Sequence, residues 1–350
     1  MHALSARERV LLAGVAALTA LAGGLHFGGA GAVAAFLAAT AALAGLAWIV
    51  SFATEQVGER FGPAATGVMQ STLGNLPEFV VVIFALSAGE VVVASFSLIG
   101  SIFANALLVL GLVIIVGARA AEGRVMSFRT RLPQDTATLM LVSVFIIVLV
   151  ALSLASGDRA SRHITAISTI GAVAILVVYV AWVVPYVREE PALEGGHARL
   201  PLAAGIVLLA VAGAGSAFVS DWFVTALSPA VKSLHISKEF AGLVIVAIAG
   251  NAVENVTGIV LAAKRRNDLA ISVVKNSVAQ IAAFLFPALI LVSLLFAHHL
   301  SFALAPLYVG ALALTALLVW QITGDGEAAE FEGWALVAVY VILATFTLYE

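Results

Sequence analysis

Two stretches of this chain repeat one polar phrase inside otherwise apolar sequence: Gly74-Asn75-Leu76-Pro77-Glu78 and Gly250-Asn251-Ala252-Val253-Glu254. The two glutamates are 176 residues apart, and each lies in a run long enough to cross a bilayer. A carboxylate at membrane depth is costly, so its presence there points to an ion or proton site. Helical spacing decides what can join it. Thr72, Asn75 and Glu78 recur every three residues and share one helix face. Asn251, Glu254, Asn255 and Gly258 form a similar stripe. Pro77 removes a backbone donor and is expected to loosen its helix, freeing carbonyls about one turn earlier.

Each motif is followed by a second polar run. Ser97, Ser101 and Asn105 recur at four-residue steps in one; Asn276 and Gln280, with Ser277 beside them, do so in the other. Glu78 to Asn105 is 27 residues and Glu254 to Gln280 is 26, a near-equality that argues for duplication. All these groups offer oxygen. Two carboxylates with amide and hydroxyl oxygens suit a hard cation such as Ca²⁺. Protons compete for the same carboxylates, because a close acidic pair in low dielectric holds at least one proton more tightly than usual. A site filled by either the metal or protons, in a protein that switches sides only when occupied, would exchange one for the other.

The elements that must position these groups are transmembrane helices. The chain of 350 residues is 62% hydrophobic and 11% charged, against roughly 25% charged in soluble domains. No polar block is large enough for a separate soluble domain, and no basic tract suggests nucleic acid. The absence of cysteine excludes disulfides and thiolate metal sites. Apolar runs predict an all-α, polytopic membrane protein of about eleven spans: 9–27, 31–53, 64–88, 91–116, 134–155, 163–186, 200–219, 238–263, 268–297, 302–321 and 333–349. The seventh could extend toward Leu227. Arg7 and Arg9 before an apolar run resemble a signal peptide, but the segment is read as a retained first span.

With the N-terminus cytoplasmic, twelve Lys and Arg fall on the inner side and four on the outer, which predicts an outer C-terminus. The motifs fall in spans three and eight, so the chain crosses the membrane in opposite directions at the two. This predicts two inverted-topology repeats of five helices plus an extra first helix. The expected divisions are 1–30 for the extra helix, 31–187 for the first repeat, 188–199 for a cytoplasmic linker and 200–350 for the second repeat. Inverted repeats place their substrate site near the midplane, where the halves meet.

Other polar groups are peripheral. Glu55 and Asp221 are expected to end spans two and seven at matching places on opposite faces, as possible mouth acids that gather cations. Lys275 lies about 200° around its helix from Ser277 and about 140° from Gln280. It is expected to pack, or to snorkel toward the interface near Asp268, and not to join the site. His298 and His299 form a weak metal signal in an outer loop. The acidic groups Glu189, Glu190 and Glu194, and those at 325–332, read as solvated.

The paired Gly-Asn-x-x-Glu motifs carry a resemblance. So do Gly100-Ser101-Ile102-Phe103-Ala104-Asn105-Ala106-Leu107-Leu108-Val109-Leu110-Gly111 and the run 264–280 followed by Phe286-Pro287. Together they resemble the cation/proton exchangers of the calcium:cation antiporter superfamily, over spans two to eleven. The resemblance implies eleven spans with inverted halves and Ca²⁺/H⁺ antiport. It implies Glu78 and Glu254 as central metal ligands, with Asn75, Asn251, Ser101, Asn105, Ser277 and Gln280 as neighbouring ligands. It also implies that spans two and seven are mobile gating helices. Three positions depart from the family pattern: Asn255 replaces a usual His, Asn276 a usual Gly and Ser95 a common Gln. Leu76-Pro77 leans toward the sodium/calcium exchanger branch, which leaves a sodium- or potassium-coupled exchanger on the same scaffold as the alternative.

The expected cargo is therefore Ca²⁺ and H⁺, with no cofactor, lipid as the surrounding partner and a bacterial plasma membrane as the setting. No His-Glu-x-x-His motif, Ser/His pair or paired aspartates at membrane depth suggest an enzyme.

Overall fold

The computed structural model describes residues 4–58, 73–189 and 199–350. Thr72, the 59–63 break and the acidic residues Glu190 and Glu194 lie outside the described residues. Helices dominate: α1 (Ala6–Phe27), α2 (Ala32–Gly58), α3 (Leu76–Ser87), α4 (Val91–Ala120), α5 (Arg131–Ser156), α6 (Ile164–Glu189), α7 (Leu202–Leu234), α8 (Lys238–Gly250), α9 (Ala252–Ala263), α10 (Asn267–Ser293), α11 (Pro306–Thr323) and α12 (Glu330–Leu348). One antiparallel ribbon pairs β1 (Val125–Ser127) with β2 (Glu327–Ala329). Among the described residues nine helices are long and apolar enough to span a bilayer, and α8 with α9, bent by 56°, makes a tenth. Of the third expected span, 64–88, residues 64–72 lie outside the described residues, and the remainder holds the apolar helix α3.

Small residues set the packing, as expected where lipid gives no hydrophobic drive between helices. α2 and α7 lie antiparallel. A Cβ added at Gly205 would meet Val57 at 2.9 Å, one at Gly215 would meet Leu46 at 3.1 Å, and Phe36 packs on Phe223 with ring centroids 5.0 Å apart. α1 joins them through Val15 on Gly45 and Gly23 on Trp222. The seventh span is longer than its sequence suggested. α7 continues unbroken for 33 residues, roughly 50 Å, so Asp221 lies thirteen residues before its end and does not terminate a span. The helix continues because residues 222–234 supply buried apolar positions, among them Phe223, Leu227, Ala230 and Val231, for the neighbouring helices.

Polar contacts sort onto two faces. On one, Glu90 between α3 and α4 accepts from Lys238 Nζ at the start of α8 (2.6 Å) and from Ser228 Oγ on α7 (2.6 Å). Burial works to raise the Glu90 carboxyl, but the hydrogen bonds from Lys238 and Ser228 and the Lys238 charge outweigh it and hold it below the usual carboxylate range. On the other face lie the β1–β2 ribbon, Arg119 and Arg124 on Glu330, Arg129 on Asp268, and Arg199 on Glu8. α3 ends at the Glu90 face and α8 begins there, so the two motif-bearing helices run in opposite directions. The halves are inverted repeats, with α1 extra.

The halves meet most closely where α4 crosses α8. A Cβ at Gly100 would lie 2.4 Å from Leu243 Cα, and one at Gly242 would lie 2.9 Å from Phe96 Cβ, so only glycine admits this backbone approach. Both motif spans break at the asparagine. Asn75 (φ −82°, ψ 4°) precedes α3, and Asn251 (φ −95°, ψ 10°) separates α8 from α9. Pro77 occupies the first turn of α3, where its missing donor costs little. The second break has no proline; there the Asn251 side chain instead donates to Ala247 O, one turn back.

Candidate functional site

Glu78 lies in the first turn of α3 and is 4% exposed. Its Oε1 accepts from Ser101 Oγ of α4 (2.5 Å) and from Asn251 Nδ2 of the opposite half (2.6 Å). Asn251 Nδ2 also lies 2.9 Å from Ser101 Oγ. Asn105 Nδ2 donates to Asn251 Oδ1 (2.8 Å) and to Ser277 Oγ of α10 (3.2 Å). Five expected site residues from α3, α4, α10 and the α8–α9 break thus form one hydrogen-bonded cluster, and every member is buried. Asn75 and Gln280 are also buried, on the same segments as Glu78 and Ser277. Glu254 stands on α9, one turn after Asn251, and its side chain lies outside the described residues.

Glycine again permits the approach. A Cβ at Gly250 would sit 2.7 Å from Glu78 Cγ and 2.8 Å from its Oε1. The motif glycine of one half therefore makes room for the motif acid of the other. Sequence reading also missed the π-helical turns at Ala104–Val109, Ala241–Val246 and Ile281–Leu285. The first contains Asn105 and the third follows Gln280, so the duplication extends to local backbone form. Wide turns of this kind recur at functional sites.

The cluster offers oxygen to a hard cation. Asn105 Oδ1 is buried and has no hydrogen-bond partner among the described residues, as is true of Asn255 Oδ1 and Asn276 Oδ1. A buried acceptor left unpaired costs about 1–3 kcal/mol. A cation bound beside Asn105 would offset that cost. Among the described residues no three of His, Asp, Glu or Cys cluster as a metal site.

The peripheral residues are placed differently. Glu55 and Asp221 are both exposed, and the antiparallel α2–α7 pairing sets them at different levels, with Asp221 thirteen residues before the end of α7. His299 Nδ1 lies 3.1 Å from Ser293 O, a loop contact. Lys275 does not snorkel. It is fully buried, and its Nζ donates to Thr323 Oγ1 of α11 (3.1 Å), which in turn donates to Val319 O. Its face of α10 is directed at α11 and away from the Glu78 cluster, as the helix angles required. An apolar side chain of similar length removes a desolvated amine without leaving a charge behind. Lys275→Met is therefore expected to keep transport within about twofold of wild type and to match or exceed its thermal stability. Vesicle flux and a melting curve check this; a dead variant would place Lys275 in the site.

Inverted helical repeats that bring buried acid, amide and hydroxyl groups together at their junction define a membrane transporter. The description "Sodium/calcium exchanger protein" matches this chain over residues 31–185 and again over 204–349. The chain belongs to the sodium/calcium exchanger protein family. It is 32% identical over 315 residues to a vacuolar calcium ion transporter of Schizosaccharomyces pombe, covering 86% of this chain and 76% of the relative. It is 30% identical over 345 residues to a Ca²⁺/H⁺ antiporter of Synechocystis, covering 91% and 92%. The solved structure of native YfkE superposes with a TM-score of 0.82 at 25% identity, over 97% of this chain and all of the other. The H⁺/Ca²⁺ exchanger CAX shares the fold, with a TM-score of 0.74 at 18% identity over 98% and 93% of the two chains.

Proposed function

We propose that this protein exports Ca²⁺ in exchange for H⁺ by alternating access. The observation that carries the reading is the hydrogen-bonded bridge between halves, in which Glu78 and Ser101 of one contact Asn251 of the other. A cation bound there touches both repeats, so its arrival or departure biases how they sit against each other. Glu78 and Glu254 serve as the shared ligands of cation and protons. Asn75, Asn251, Ser101, Asn105, Ser277 and Gln280 complete the oxygen set. The relatives from Synechocystis and Bacillus subtilis, both named Ca²⁺/H⁺ antiporters, support this choice of ions.

On this reading residues 31–187 and 200–350 are the working halves, joined by 188–199, and residues 1–30 add a helix beside α2 and α7. The face of the β1–β2 ribbon is cytoplasmic and the Glu90 face is outer, in keeping with the bias of Lys and Arg.

Inside-out vesicles supplied with external ⁴⁵Ca²⁺ under imposed gradients test the coupling. Uptake is expected to follow a pH gradient and to collapse with a protonophore. Uptake that ignores the pH gradient and follows sodium or potassium would replace protons with that ion on the same site.

A further inference from the structure

The wide turn in α10 lacks a backbone donor, and another helix replaces it. Phe286 N–H bonds Ile281 O, five residues back, so Ala282 O loses its usual α-helical donor. The next amide along the wide turn would belong to residue 287, and Pro287 has none. Ala282 is 1% exposed, and a carbonyl left unpaired there is costly. Ser143 of α5, itself 2% exposed, supplies the donor. Its Oγ lies 2.9 Å from Ala282 O and 3.1 Å from Leu139 O, one turn back in its own helix.

The other half shows what this contact replaces. Glu78 and Glu254 are 176 residues apart, and so are Ser101 and Ser277. The same step matches the wide turn at Ala104–Val109 to the one at Ile281–Leu285 within one residue, and pairs Gly111 with Pro287 and Ser143 with Val319. In the first half Leu110 N–H bonds Asn105 O across the turn, as Phe286 N–H bonds Ile281 O in the second, but Gly111 keeps the next N–H. α11 packs against the wide turn of α4 as α5 packs against that of α10. α11 carries the buried, apolar Val319 at the matching position. A hydroxyl thus stands on the helix that faces a proline, and a valine on the helix whose neighbour needs no donor.

We propose that Ser143 is a positioning residue for the site: by holding Ala282 O it fixes the wide turn of α10 in the register that brings Ser277 to the Glu78 cluster. This rests on the reading of Ser277 and Gln280 as cation ligands. Without the Ser143 hydroxyl, Ala282 O is satisfied within the helix only by taking Phe286 N–H from Ile281, which moves the wide turn one residue back toward Gln280. Each residue that such a turn passes rotates by about 100° around the helix axis. The far end of α10 is anchored, because Phe286 packs on Phe302 with ring centroids 5.3 Å apart and Ser293 Oγ accepts from Leu300 N. The rotation therefore falls on the side of Gln280 and Ser277, and Ser277 Oγ is the atom that Asn105 Nδ2 reaches at 3.2 Å.

In the full-length protein, Ser143→Ala is expected to raise the half-saturating Ca²⁺ concentration by about threefold to tenfold. Ser143→Thr, which keeps the hydroxyl, is expected to stay near wild type. Pro287→Ala restores an amide N–H beside Ala282 O, so in that background Ser143→Ala is expected to change the Ca²⁺ dependence by less than about twofold. A serine that only fills space would not be rescued by removing a proline from another helix. Equal effects of Ser143→Ala with and without Pro287, or no effect with Pro287 present, overturn the proposal. If Ser143→Ala alone does not fold, Ser143→Ala/Pro287→Ala decides. A folded protein with near wild-type Ca²⁺ dependence supports the proposal; failure to fold, or altered Ca²⁺ dependence, overturns it. Ser277→Ala is run in parallel. If it weakens Ca²⁺ binding while the two substitutions at 143 and 287 act additively, only the role of Ser143 fails; if Ser277→Ala binds Ca²⁺ normally, it is the reading of Ser277 as a ligand that fails.

Discussion

Glu78→Gln is expected to abolish Ca²⁺ transport while the protein still inserts and folds. Glutamine is nearly the same shape, and its Oε1 can still accept from Ser101 and Asn251, so the bridge between halves survives. What disappears is the charge and the capacity to exchange a proton. A charge-assisted contact in a dry site outweighs its neutral counterpart by about 2–4 kcal/mol, which corresponds to at least about a thirtyfold loss of affinity. Losing the proton-accepting group also removes coupling, so flux should fall further than binding. Removing a carboxylate from membrane depth should leave thermal stability equal or higher. Glu254→Gln is expected to behave alike. Isothermal titration with Ca²⁺, vesicle flux and a melting curve separate these effects. Wild-type flux in either variant would remove that residue from the site.

Gly100→Ala is expected to cost both stability and transport. The added methyl would lie 2.4 Å from Leu243 Cα, 2.6 Å from its carbonyl oxygen and 2.8 Å from its carbonyl carbon. These are backbone atoms inside a helix, so no side chain can swing away. α4 and α8 must separate by roughly 1 Å, and overpacking of this kind costs about 1–3 kcal/mol or more. The same crossing holds Ser101 against Asn251, so the separation also stretches the bridge at the site. A fall in both melting temperature and Ca²⁺ affinity is expected. Gly310→Ala is the counterpart: nothing lies within 4 Å of its added Cβ, and alanine favours the helix by about 1 kcal/mol. It should be neutral or stabilising. A Gly100→Ala protein as stable and active as wild type would mean that α4 and α8 do not approach as closely as described.

Much of the site was legible because its residues follow helical spacing. Ser101 and Asn105 are four apart on α4, so that pair shares a face wherever the helix lies, whereas Asn75 precedes α3 at the break and its spacing from Glu78 fixes no common helix face. The inverted threading was legible too, since an odd number of spans separates the motifs. The break at Asn251 was not. Proline marks the first break in the sequence, whereas the second depends on an asparagine side chain reaching Ala247 O. The length of α7 was likewise hidden. Asp221 looks like a helix end in a one-dimensional hydropathy profile, and the buried residues beyond it show their purpose only against neighbouring helices. Lys275 illustrates the same limit: its helix angle excluded it from the cluster, but its burial against Thr323 depends on where α11 sits.

The order of residues alone determined that this is a twice-written, membrane-embedded chain with an acid, amides and hydroxyls on defined helix faces, because backbone periodicity and the cost of charge in lipid act locally. Tertiary structure decided which faces meet. Glu78 bonds Asn251 from 173 residues away because Gly100, Gly242 and Gly250 let the two halves approach closely, and that approach depends on three-dimensional packing that no local rule encodes.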